Sequence, residues 1–141
     1  MVILVVGAMR SGTTLVTWII NQAGVPVPSC SECIPLAESY KFNVRRKGGL
    51  ECMDLTGLLF KIGDYKVKNP FTLREDIPSF PIDDFLKSPL FGQAKRMFGK
   101  WDNLYPKYVV KSPQLCWAVD YLEKVLVKPR YIYVKRMNKK I

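Results

Sequence analysis

Met1 to Val6 is an unbroken apolar, mostly β-branched run closed by Gly7, and helical periodicity starts soon after, at Thr13. A strand without a polar face cannot lie on a surface. It belongs in a parallel sheet with both faces covered by helices. Two further segments match it. Tyr108 to Lys111 reads as a second buried strand and Arg130 to Lys135 as a third. Gln114 to Leu126 lies between them as an amphipathic helix with Leu115, Val119, Leu122 and Val125 or Leu126 at helical spacing. Strand–helix, a middle insertion, then strand–helix–strand predicts an α/β domain with a mainly parallel sheet and right-handed crossovers.

The intervening chain is less regular. Thr13 to Ala23 reads as a helix with Leu15, Trp18, Ile19 and Gln22 sharing a face, and Gly24 stands at the C′ position that favours left-handed geometry. Val25 to Ser31 reads as an extended loop, Cys33 to Asn43 as a helix, and Arg45 to Gly49 as a basic turn. Met53 to Tyr65 fits helix or strand, and Lys66 to Pro81 reads as irregular loop. Ile82 to Gly99 is helical, with Phe85, Leu86, Leu90 and Phe91 inward and Pro89 kinking or splitting it. There is no repeat, low-complexity tract or linker, and 141 residues predict a single domain.

Composition narrows the chemistry. No histidine occurs, which excludes His-based triads, His metal sites and a histidine general base. A formal charge of +10 predicts an anionic partner: nucleic acid, an acidic surface or a phosphorylated small molecule. No run approaches the roughly 20 apolar residues of a membrane helix. Met1 to Ala8 has no basic leader region or cleavage pattern, so the expected compartment is the cytoplasm. Cys30-x-x-Cys33 is half of a zinc or redox pattern without a second close pair, and the four cysteines are expected to be thiols. No metal is expected.

The chemistry concentrates in Gly7-Ala8-Met9-Arg10-Ser11-Gly12-Thr13-Thr14, between a buried strand and a helix. Its glycines let the backbone curl around an anion, and the helix start aims N–H groups at that anion. Thr13 and Thr14 add hydroxyls, and Arg10 adds a forked charge. The loop resembles Walker A, but Thr13 stands where the lysine belongs. It predicts a three-layer, P-loop-NTPase-like domain. In such sheets ligands bind at the carboxyl ends of the strands, the edge shared by Gly7–Thr14, Lys111–Gln114 and Arg136–Lys140.

Met9-Arg10-Ser11-Gly12-Thr13-Thr14 resembles the first loop of sulfotransferases that use 3′-phosphoadenosine 5′-phosphosulfate (PAPS). That loop commonly runs Pro, Lys or Arg, Ser or Thr, Gly, Thr, then Thr or Ser. The likeness continues in Val109-Val110-Lys111-Ser112-Pro113, similar to a segment of the tyrosylprotein-type enzymes. Tyr131-Ile132-Tyr133-Val134-Lys135-Arg136 is similar to the strand ending in the arginine that holds the donor's 3′-phosphate. The resemblance implies sulfuryl transfer from PAPS to a hydroxyl or amine of a small-molecule or protein acceptor, with no metal. By it, Arg10, Ser11, Gly12, Thr13 and Thr14 bind the 5′-phosphosulfate and Arg136 the 3′-phosphate. Arg10 and Lys111 neutralise charge on the transferring group, as preorganised cations do.

The acceptor hydroxyl needs a base, and without histidine a carboxylate is the choice. Glu32 resembles in place the glutamate that some tyrosylprotein-type enzymes use, and Glu38 is its rival. The family pattern carries Asp-Pro-Arg or Asp-Gly-Arg after the arginine, then a serine and an adenine-covering loop. Here Met137-Asn138-Lys139-Lys140 follows and the chain ends at Ile141, so the C-terminal part of the family fold is expected to be missing. Weak, salt-sensitive donor binding and pairing with a second copy across the open sheet edge are expected. Two other readings stand beside this one. One is a P-loop nucleotide-binding protein or kinase. The other is a basic nucleic-acid-binding module using Tyr105, Tyr108, Tyr131 and Tyr133 near lysines, although strand alternation assigns those rings to a core.

Overall fold

A computed structural model describes residues 1–7, 12–29, 50–63 and 81–135. Three strands, β1 (Val2–Val6), β2 (Tyr108–Lys111) and β3 (Arg130–Tyr133), form a parallel sheet in the order β2-β1-β3. Around it lie α1 (Thr13–Gln22), α2 (Met53–Gly63), α3 (Ile82–Lys87), α4 (Pro89–Leu104) and α5 (Leu115–Leu122). This is a mixed α/β fold, as the apolar first strand required. None of the helices among the described residues is long and apolar enough to cross a membrane.

β1 sits at the centre and its side chains divide by parity. Val2, Leu4 and Val6 join the larger core with Tyr108, Val110 and residues of α2, α4 and α5. Ile3 and Val5 pack with Val109, Val16, Ile20 and Val27 on the other face, beneath α1. The chain steps from β1 to one side, then crosses β1 to reach β3. Right-handed crossovers in opposite directions put α1 and α5 on opposite faces.

Local chemistry sets the element ends. Gly24 adopts φ +96° just after the Ala23 cap, as expected of a C′ glycine. Ser88 is extended, its N–H and Oγ both bond the Phe85 carbonyl, and Pro89 occupies the first turn of α4. A pre-proline residue is pushed out of the helical region, so one periodic stretch becomes two helices. The Met53–Tyr65 ambiguity resolves as helix. Leu55, Leu58, Leu59 and Ile62 are buried along one side of α2, and Ser29 caps its start through its carbonyl to Met53 N–H (3.1 Å) and its Oγ to Asp54 N–H (3.2 Å).

Several expectations are corrected. In α1 the inward residues are Val16, Thr17 and Ile20, whereas Leu15 and Ile19 are exposed. Its apolar residues Leu15, Val16, Trp18, Ile19 and Ile20 spread too widely around the helix for periodicity to select the inward side. Leu86 is exposed, unlike Phe85, Leu90 and Phe91. α5 stops at Leu122, where turns replace the helix expected to run to Leu126, and β3 ends at Tyr133. Tyr108 is fully buried but Tyr133 is 68% exposed, so the core accounts for only some of the tyrosines. The segments read as helix over Cys33–Asn43 and turn over Arg45–Gly49 lie outside the described residues, as does nearly all of the Lys66–Pro81 loop.

Candidate functional site

The carboxyl edge of the sheet collects the described polar residues that the sequence singled out. β1 ends at Val6, and α1 begins at Thr13 with Gly12 as its cap residue at φ +101°. That left-handed backbone suits glycine, and an added Cβ would meet Val134 Cγ1 at 3.8 Å. Val134 N–H in turn bonds the Val6 carbonyl at 2.8 Å, so the chain just after β3 passes beside the start of α1. Gly12 has no side chain with which to cap α1. The first amides of any helix lack intrahelical acceptors, and here they carry the positive end of a 10-residue helix.

Lys111 comes to the same place from β2. It is the last residue of the strand, paired in register with Val5. Side chains alternate along a strand, so Lys111 points to the same face as Val109, the face under α1. Its Nζ donates to Thr14 Oγ1 at 2.6 Å across 97 positions of sequence, and the residue is only 4% exposed. A solvated lysine at a strand end is therefore not what the fold contains.

The next residue points the other way. Ser112 Oγ accepts from Thr56 Oγ1–H at 2.9 Å and donates to Gln114 Oε1 at 2.7 Å, and all three residues are buried. The Cys52 N–H bonds the Lys111 carbonyl at 3.0 Å, and the Val109 N–H bonds the Pro26 carbonyl at 3.0 Å. Main chain from two segments thus occupies the outer edge of β2. Thr56 and Gln114 were not found from sequence. The signal available for Thr56 was a hydroxyl at an inward position of an otherwise apolar helix face.

Of the residues expected in the site, Gly12, Thr13, Thr14 and Lys111 are brought together. Arg10, Ser11, Glu32, its rival Glu38, and Arg136 lie outside the described residues. Among the described residues no group of three or more Cys, Asp and Glu converges as a metal site. Cys52 is buried and Cys116 exposed. Partial burial still raises the Cys116 pKa, while its own and the Trp117 backbone N–H groups pull the other way.

A buried ammonium on a threonine hydroxyl, beside the first amides of a helix, is an arrangement that attracts an anion and stabilises charge developing on it. Comparison with protein-family models, curated proteins and solved structures finds no match to this chain.

Proposed function

We propose that the chain is a sulfotransferase that moves the sulfuryl group of PAPS to a hydroxyl or amine acceptor, on a P-loop-like, three-layer α/β domain. The observation that carries the reading is the 2.6 Å contact between Lys111 Nζ and Thr14 Oγ1. It joins two of the three segments in which the sequence resembles this enzyme class.

In this reading Gly12, Thr13 and Thr14, with Arg10 and Ser11, hold the 5′-phosphosulfate. Arg136 holds the 3′-phosphate. The acceptor oxygen or nitrogen attacks sulfur in line, its proton passes to Glu32, and the bond between sulfur and the bridging phosphate oxygen breaks. Adenosine 3′,5′-bisphosphate leaves with the electron pair. Charge grows on that bridging oxygen, where Lys111 and Arg10 stabilise it. A kinase reading is weaker, because Thr13 replaces the Walker lysine and Lys111 ends the strand where an aspartate would hold magnesium.

Thermal melting with three ligands tests the proposal: adenosine 3′,5′-bisphosphate, ATP with magnesium, and short oligonucleotides. A ligand that binds only the folded state raises its melting temperature. Selective stabilisation by the bisphosphate is expected. Selective stabilisation by ATP with magnesium or by oligonucleotides would replace this reading with the kinase or nucleic-acid one.

A further inference from the structure

The hydroxyl chain at the end of β2 has no place in the transfer step itself, yet it is built with care about direction. Gln114 Oε1 can only accept, so the Ser112 hydroxyl spends its one proton there, which leaves its lone pairs for the Thr56 hydroxyl. Thr56, Ser112 and Gln114 are 5%, 2% and 3% exposed, and a buried polar chain of this kind is costly unless its members are paired. A valine at position 56 would fill the same volume without that cost. The polar chain therefore does something that packing α2 against the sheet does not require.

We propose that Thr56 and Gln114 are positioning residues for Lys111, acting through Ser112. The strand end is gripped on one face and along its outer edge. Thr56 and Gln114 fix Ser112 from the α2 side, and the Cys52 N–H fixes the Lys111 carbonyl at 3.0 Å. With the peptide between Lys111 and Ser112 held this way, the Lys111 side chain leaves toward the opposite face, where its ammonium meets Thr14. A lysine has four rotatable bonds and a strongly hydrated head, so a fixed origin is what confines the ammonium to one spot. α2 belongs to the insertion between α1 and β2, so an element outside the strand–helix repeats sets the position of the lysine. The consequence for PAPS rests on the proposed function. The positional claim does not.

The experiment measures how fast Lys111 is acetylated by acetic anhydride, read by peptide mass spectrometry on the full chain. The proteins are wild type, Thr56→Val, Thr56→Ser, Gln114→Met and Ile62→Val. Ile62 is also buried on α2, so its variant loosens the helix without touching the hydroxyl chain. Thr56→Val and Gln114→Met should label Lys111 faster by about three- to tenfold, which is what losing one hydrogen bond supplies. Thr56→Ser restores the hydroxyl and should label at the wild-type rate, as should Ile62→Val. Equal rates in Thr56→Val and Ile62→Val overturn the proposal. If Thr56→Val does not fold by circular dichroism, the same comparison is decided by Gln114→Met. The same proteins are titrated with adenosine 3′,5′-bisphosphate. Wild-type binding that weakens in parallel with faster labelling supports both claims. No wild-type binding overturns the donor reading, and the labelling rates then decide the positional claim alone.

Discussion

β2 and β3 are both four residues long and flank β1 in parallel with the same number of register pairs, yet they differ in how much of the protein covers them. All four residues of β2 are buried, and its outer edge is occupied by the Pro26 carbonyl and the Cys52 N–H. In β3, Arg130 and Tyr133 are exposed, and the Tyr133 ring stacks on Tyr131 at 5.8 Å between centroids. Pairing with β1 therefore does not decide which strand holds its side chains in place. What decides is cover: β2 has α1 below, α2 above and main chain along its side. A lysine at the end of the covered strand is held. Lys135, just past the end of the other strand, is exposed.

Truncating one tyrosine on each strand gives the sharpest contrast. Tyr108→Ala removes a ring that is fully buried against Trp101 and hydrogen-bonded to Asp102 at 2.8 Å. It should cost about 3–5 kcal/mol, the range for deleting a buried aromatic side chain. Tyr133→Ala should stay within about 0.5 kcal/mol of wild type, as exposed sites do. Urea denaturation of the two variants measures both, and equal losses would erase the distinction between the strands.

The next largest effect concerns the first loop. Arg10→Ala should weaken adenosine 3′,5′-bisphosphate binding by about 1.5–3 kcal/mol, the value of a charge-assisted hydrogen bond. Isothermal titration that finds equal affinities would remove Arg10 from the site.

Alkaline pH separates the strands a third way. Burial, and then the Asp102 hydrogen bond, holds the Tyr108 phenol far above its ordinary pKa. Tyr131 is pushed up to about 12, first by burial and then by its hydrogen bond to Glu123. Raised values in the folded state mean that this stability is complete below about pH 10, the ordinary phenol value, and is lost as pH climbs toward the folded values. Tyr108→Phe should flatten that loss between about pH 10 and 11 more than Tyr131→Phe does, because the Tyr108 phenol lies in the core whereas the Tyr131–Glu123 hydrogen bond is exposed and screened by solvent. Denaturation midpoints across that window check the order.

The smallest effect tests α2, which grips the end of β2. Gly57 lies on its exposed side with nothing within 4 Å of an added Cβ. Gly57→Ala should stabilise the protein by about 0.5–1 kcal/mol through helix propensity alone. A loss in thermal or urea unfolding would mean that α2 needs freedom at that position.

Much of this framework was legible. β2 runs over the residues that its apolar run delimits, Gly24 takes the left-handed turn, and Pro89 splits a helix, because each of these is set by local backbone chemistry. The inward side of α1 was not legible, since Leu15, Ile19, Val16 and Ile20 are all apolar and only tertiary contact chooses among them. Thr14 entered through the hydroxyl chemistry of the first loop, and Lys111 entered separately through its place at a strand end and a family resemblance. Their contact spans 97 positions, and strand register brings it about rather than any spacing in the chain. Thr56 was illegible for the same reason, because its partner Ser112 lies 56 positions away.

The central claim is that the ammonium at the end of β2 and the start of α1 form one anion site for the donor. Isothermal titration of adenosine 3′,5′-bisphosphate into wild type and Lys111→Met, with circular dichroism confirming the fold, tests it most directly. The account predicts measurable wild-type binding that falls by about tenfold or more in Lys111→Met, as expected for losing a buried charged donor. Equal affinities in two folded proteins would contradict it.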